Sequence, residues 1–236
     1  MNTLILENED FLDGNTVKLY GRRAKHILEI KKLSIGSTIN AGLINGDLGI
    51  ATIKSISSMH IILEVLLKDK PPAPLSLSLV IALPRPKVLK KILQTATSLG
   101  IKKIYLINSW KVEKSYWQTR QLSEKNIREQ LLLGLEQSCE TVPPEVIIKK
   151  QFKPFLEDEI SSIVKDSIAL IAHPCEKIFD PREVNKNIVL AIGPEGGFTG
   201  YEFKKFIEVG FKQISLGKRI QRVETVMPLL VGKLCY

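Results

Sequence analysis

The tract Lys70-Pro71-Pro72-Ala73-Pro74 constrains this chain more than any other part of it. Its prolines fix φ and remove backbone donors, so neither a helix nor an interior strand runs through it. The hydrophobic pattern also changes period here. Before the tract, short alternating runs (Ser37 to Ile44, Gly49 to Ile56, Ile61 to Leu67) read as strands, with Asn45-Gly46 placed as a two-residue hairpin turn. One helix is expected from Arg22 to Leu33, where Ala24, Ile27, Leu28 and Leu33 share a face and the basic residues point away. Residues 1–70 are therefore expected to form a small β-barrel, and residues 71–236 a second domain.

Beyond the tract, buried strands alternate with amphipathic helices. Leu77 to Leu83 reads as a strand, Lys87 to Leu99 as a helix ended by Gly100, and Ile104 to Ile107 as the next strand, which makes a βαβ unit. A helix from Glu124 to Gln137, a strand at Val146-Ile147-Ile148 and a helix from Phe155 to Val164 continue the alternation. Strands at Ile168 to Ile171 and Ile188 to Ala191 follow. The class is α/β, with a mainly parallel sheet flanked by helices and right-handed crossovers. Pro228 is expected in the first turn of a terminal helix, with Leu229-Leu230-Val231 buried behind it.

Two glycine-bearing segments stand out near the end of the chain: Ile192-Gly193-Pro194-Glu195-Gly196-Gly197-Phe198 and Leu216-Gly217-Lys218-Arg219-Ile220-Gln221-Arg222-Val223-Glu224-Thr225. Each follows a short apolar run, Ile188 to Ala191 and Gln213 to Ser215, and each precedes a helix-like stretch. Ligands of open α/β sheets bind outside the carboxyl ends of strands, so two such loops predict one shared pocket. Neither loop carries a dinucleotide fingerprint or a P-loop, which disfavours a phosphate-cradling nucleotide site.

The net charge of +9 is unevenly placed. Lys+Arg against Asp+Glu count 9 against 8 over residues 1–70, 13 against 6 over 71–150, and 12 against 11 over 151–236. Arg85, Lys87, Lys90, Lys91, Lys102 and Lys103 have no acidic residue among them, and Arg22, Arg23, Lys25, Lys31 and Lys32 form a second cluster. Clusters of this kind attract polyphosphate and release counterions on binding, although a solvated helix face has the same composition. The longest apolar runs are too short to span a bilayer, and the first residues lack the pattern of a secretion signal. Cys139, Cys175 and Cys235 are odd in number and widely spaced, against a disulfide framework or a zinc site. These features predict a soluble, cytoplasmic protein with no membrane partner and no metal.

The strand-GPEGG loop followed by the strand-LGxRIxRxET loop resembles the C-terminal half of the SPOUT class of S-adenosylmethionine-dependent RNA methyltransferases. Within that class the chain resembles the ribosomal RNA small subunit methyltransferase E family, which methylates N3 of a uridine in 16S rRNA. Further matches at Gly21 to Ile27, Leu43 to Gly46, Leu83 to Lys87, Leu99 to Ile101, Glu113 to Trp117 and Leu135 to Ser138 extend the similarity over nearly the whole length. The resemblance implies a PUA-like N-terminal barrel, a C-terminal trefoil knot, a homodimer, and 16S rRNA or the small ribosomal subunit as partner. It places S-adenosylmethionine against Ala172, His173, Ile192, Gly193, Pro194, Gly196, Gly197, Leu216, Gly217 and Ile220.

Methylation of uracil N3 requires loss of its proton. Glu195 and Glu224 are the candidate bases, Arg222 the candidate for stabilising developing negative charge, and Thr225 an orienting residue. Glu195 is equally suited to bracing its loop, and Glu224 to interacting with a helix dipole. Arg22, Arg23, His26, Arg85, Lys87, Lys90 and Lys91 are the RNA-contact candidates. Tyr116 and Trp117 either stack on a base or pack between helix and sheet. Two alternatives stay open: the same fold acting on another rRNA or tRNA nucleotide, and a non-catalytic RNA-binding assembly factor.

Overall fold

A computed structural model describes residues 2–174 and 187–236. Cys175, counted above with the other cysteines, lies outside them. The chain divides into two compact units, Met1–Ala73 with Leu132–Pro143, and Pro74–Leu131 with Pro144–Tyr236. One helix, α3 (Glu124–Ser138), contributes to both.

The first unit is a curled six-stranded sheet. Its strands are β1 (Thr3–Leu6), β2 (Phe11–Asp13), β3 (Thr16–Leu19), β4 (Thr38–Leu43), β5 (Leu48–Ile56) and β6 (Ile61–Asp69), in the spatial order β1-β4-β5-β6-β3-β2. All pairs are antiparallel except β1 with β4. Alternation decides which side chains enter the core: Val17, Leu19, Ile39, Ala41, Ala51, Ile53, Ile61, Leu63 and Val65 point inward and form one apolar cluster with Leu4, Leu6 and Ile27.

Two expectations for this unit are corrected. The helix begins as α1 (Gly21–Lys25), passes into a π turn over His26–Ile30, and stops before Leu33. Lys32 takes a left-handed φ of 50°, which ends helical hydrogen bonding there. Nor is the Asn45-Gly46 turn a two-residue hairpin. Four residues separate β4 from β5, only Asn45 has a positive φ (58°), and Leu43 N–H donates to Asp47 O at 3.1 Å. Thr141 fixes this wider turn, accepting from Asn45 N–H at 2.9 Å and donating its hydroxyl to Gly46 O at 2.6 Å.

The second unit is an all-parallel sheet of β7 (Leu77–Ala82), β8 (Lys103–Ile107), β9 (Glu145–Lys149), β10 (Ser167–Ala172), β11 (Asn187–Ile192) and β12 (Lys212–Ile214). The order is β12-β10-β11-β7-β8-β9. Strand β11 inserts between β7 and β10, and β12 returns past it to pair with β10 on the outer side. The helices are α2 (Pro86–Ser98), the first part of α3, short pieces α4 (Phe152–Pro154) and α5 (Ile160–Val164) joined by a π turn, α6 (Gly200–Glu208), and α7 (Val223–Cys235). Helix α2 buries Leu89, Ile92, Leu93 and Ala96 and exposes Lys87, Lys90 and Lys91 along the opposite stripe. The near-continuous apolar strands β7, β8, β10 and β11 are buried, as a parallel sheet covered on both faces requires.

Pro228 is a further correction. It lies inside α7, five residues beyond the first helical position, and not in the first turn. Helix α7 starts early because Arg222 is its N-terminal cap residue: Arg222 O accepts from both Thr225 N–H and Val226 N–H at 2.9 Å. Burial of Met227, Leu230 and Val231 in the core of this unit offsets the one hydrogen bond that Pro228 cannot donate.

Candidate functional site

Register places the site. Ala172 is opposite Ile192 in the β10–β11 pair and opposite Ile214 in the β10–β12 pair, so three adjacent parallel strands end at one level. The two loops singled out in the sequence leave from two of those ends, and β10 ends at Ala172 and His173 between them. They enclose a cavity of about 570 Å³. A pocket of this size suits a small-molecule ligand. Its floor is apolar, from Ile192, Phe198, Ile214, Val226 and Leu230, and its open side carries Glu195, Arg219 and Arg222.

Local interactions hold each wall. In the first loop Gly197 N–H donates to Pro194 O at 2.8 Å and Gly197 takes a φ of +68°, closing a tight turn that an L side chain would strain. Gly193 is required for a different reason: a Cβ there would stand 3.0 Å from Phe198 N and 3.1 Å from its ring. In the second loop Ser215 Oγ accepts from Gly217 N–H at 3.0 Å, and Gly217 has a φ of +101°. Between the loops, Gln213 Nε2 donates to the carbonyls of His173 and Pro174 at 3.3 and 3.1 Å, while the His173 ring packs on Phe203 at 4.4 Å.

All ten residues expected to face a cofactor line this cavity: Ala172, His173, Ile192, Gly193, Pro194, Gly196, Gly197, Leu216, Gly217 and Ile220. Arg222 and Glu195 line it as well. One Glu195 carboxylate oxygen accepts from Arg85 N–H at 3.0 Å, so this side chain braces the first loop against the segment entering α2. Glu224 and Thr225 sit in the first turn of α7, half-buried and outside the cavity lining.

The basic candidates separate into two groups. Arg22 makes a bidentate pair with Glu136, at 3.0 and 2.5 Å. Arg23 is clasped by Asp10 at 2.6 Å and by Ile5 O at 2.8 Å, tying α1 to the strand β1. Arg22 therefore ties α1 to α3, and Arg23 ties α1 to the edge of the curled sheet. His26 is half-buried, and burial, the largest cause, with positive charge around it that includes Lys31, keeps its imidazole below the ordinary value. Lys87, Lys90 and Lys91 are solvent-facing on α2. Arg85 is exposed, and a hydrogen bond from its guanidinium to the Tyr116 hydroxyl oxygen, together with the charge of Glu195, strengthens its protonated form further. Tyr116 itself donates to Glu113 at 2.9 Å, and Trp117 donates its indole N–H to Asn108 Oδ1 at 3.0 Å while packing on the core.

Several contributors had no sequence signal. Lys111 lines the cavity and donates to Gly196 O at 2.7 Å, though it lies far away in sequence. Its neighbour Trp110 gives its backbone N–H to Glu202 Oε1 at 2.7 Å. Glu202, 3% exposed, also accepts from Thr199 N–H and from the Thr199 hydroxyl, completing a capping box at the start of α6. The Thr-x-x-Glu spacing was the available clue to that box. Among the described residues no His, Cys, Asp or Glu cluster has the arrangement of a metal site, and no helix is long and apolar enough to cross a membrane.

Residues 71–234 match the RNA methyltransferase domain family. Over 232 residues the chain is 31% identical to ribosomal RNA small subunit methyltransferase E of Treponema pallidum, covering 95% of this chain and 87% of that one. The chain belongs to the ribosomal RNA small subunit methyltransferase E family. A second methyltransferase E relative, from Borreliella burgdorferi, is 26% identical over 95% of this chain and 93% of its own. The fold is that of methyltransferase E from Neisseria gonorrhoeae, solved bound to S-adenosyl methionine: TM-score 0.73 at 22% identity, covering 98% and 95% of the two chains. The paired loops that carried the resemblance in the sequence are the walls of the cavity.

Proposed function

We propose that this protein methylates N3 of a uridine in 16S rRNA, with S-adenosylmethionine held at the carboxyl ends of β10, β11 and β12. The observation that carries this reading is the closure of the two loops on one cavity, in a chain of the methyltransferase E family. The residues fit the cofactor: the apolar floor accepts an adenosine, and the turns at Gly193, Gly197 and Gly217 bring backbone groups close where side chains would intrude. The cofactor supplies an electrophilic methyl on a sulfonium, so the protein's task is mainly positioning in a dry pocket.

The chain's own groups then divide the work. Arg222, exposed on the cavity wall with no side-chain role in capping α7, stabilises negative charge developing on the uracil carbonyl oxygens. Glu195 accepts the N3 proton with the carboxylate oxygen not engaged by Arg85, and Glu224 with Thr225 supports the turn that presents Arg222. Lys87, Lys90, Lys91 and Arg85 draw in the RNA phosphates, the barrel of residues 1–70 adds further contact, and two copies act together as a homodimer in the cytoplasm.

The test is to map modified nucleosides of 16S rRNA by mass spectrometry from cells lacking the protein, complemented with the wild type or Arg222→Ala. One 3-methyluridine should vanish, return with the wild type, and stay absent with the variant at normal protein abundance. Retained modification in the deletion strain excludes the activity. Rescue by the variant removes Arg222 from the mechanism.

A further inference from the structure

We propose that Trp110, next to the cavity-lining residue Lys111, is a stacking platform for a nucleobase of the RNA substrate, an inference that rests on the function proposed above. Singly exposed apolar residues are ordinary on protein surfaces. Trp110 differs in degree and in place. It is 87% exposed, and no described aromatic ring pairs with it. The chain's other tryptophan, Trp117, packs on the core and satisfies its indole N–H internally.

The backbone beneath Trp110 is rigidly held. Its N–H is fixed by buried Glu202, Val112 N–H closes a turn on Ser109 O at 3.0 Å, and the next residue, Lys111, is tied to Gly196 O in the cavity wall. An aromatic face offered on a pre-ordered backbone binds a planar partner with little further loss of freedom. Arg85, whose backbone N–H meets the cavity-lining Glu195, adds a permanent cation for the phosphate chain. A base must leave its stack to reach a methyl donor in a pocket, and an exposed π-face next to a lining residue stabilises a strand unstacked in that way.

The two tryptophans allow a direct test. In a Trp117→Phe variant the remaining fluorescence belongs to Trp110. A 16S rRNA transcript should quench that emission and shield it from acrylamide, while Trp110→Phe shows neither effect. Trp110→Ala should raise KM for RNA about 5- to 150-fold, the factor that corresponds to loss of one base–aromatic stack. Its affinity for S-adenosylmethionine by calorimetry and its sedimentation should match the wild type, and Trp110→Phe should restore most of the RNA affinity. Unchanged KM in the alanine variant, or absence of quenching, overturns the proposal. So does a change in association state that accounts for the loss, because Trp110 is then a contact between copies. Wild-type binding of cofactor and methylation of RNA are read separately, so failure of the stack is distinguishable from failure of the underlying function.

Discussion

Replacing Glu202 by alanine should unlock the wall that carries Lys111 and Trp110. The carboxylate accepts from Trp110 N–H at 2.7 Å, Thr199 N–H at 2.8 Å and the Thr199 hydroxyl at 2.9 Å, and it is almost fully buried. Alanine leaves two backbone N–H groups and one hydroxyl without their acceptor. Hydrogen bonds to a charged group contribute about 1.5–3 kcal/mol each, and loss of a helix cap costs about 1 kcal/mol. Bonds sharing one carboxylate are not additive, and water reaches half-buried Thr199, so the net loss comes to about 3–5 kcal/mol. For a domain of this size each kcal/mol moves Tm by about 2–4 °C, which places the fall at roughly 6–20 °C. Calorimetry measures it, with Glu202→Gln as the control that keeps one oxygen acceptor and should lose about half as much. A Glu202→Ala Tm within about 2 °C of the wild type would refute the reasoning, because the clasp would then contribute less than one hydrogen bond.

Exchanging Lys87, Lys90 and Lys91 together for Gln should weaken RNA binding and reduce the slope of log K against log salt by about 2, since each phosphate contact on a single strand contributes about 0.7. An unchanged slope in a filter-binding titration returns these lysines to the role of a solvated face. The His26 imidazole is held below its ordinary value, so the unfolded chain takes up a proton before the native state does. Stability should therefore decline as pH falls from about 6.5 through the lower native value, and His26→Gln should flatten the urea midpoint across that window. Parallel midpoint curves for the two proteins would show that another group sets the slope.

The second unit was legible because β7, β8, β10 and β11 are short and nearly continuously apolar, so they fall close to their sequence positions. Both cavity loops were legible through glycines whose conformations no other residue takes easily. The first unit was less so. Strands β1 to β3 are only three or four residues long, below the length at which alternation declares itself, and β1 pairs in parallel with a strand far along the chain. Arg22 and Arg23 look like free cations in sequence, yet their partners Glu136 and Asp10 are supplied by folding. Pro228 misleads for a similar reason: local propensity forbids it in a helix interior, while the buried Met227, Leu230 and Val231 around it decide otherwise. Lys111 and Trp110 reach the site through tertiary contacts alone, and no periodicity marks them.

The levelling of Ala172, Ile192 and Ile214 sets where this chain can tolerate length changes. One residue added within β10, β11 or β12 would lift one cavity wall by about 3.3 Å against its neighbours and turn every later side chain of that strand to the opposite face. Indels should accordingly be scarce between Ser167 and Ile214 on the strands themselves and freer in the connection after β9, a pattern that deep insertion scanning would expose as a ruler marking the three strand ends.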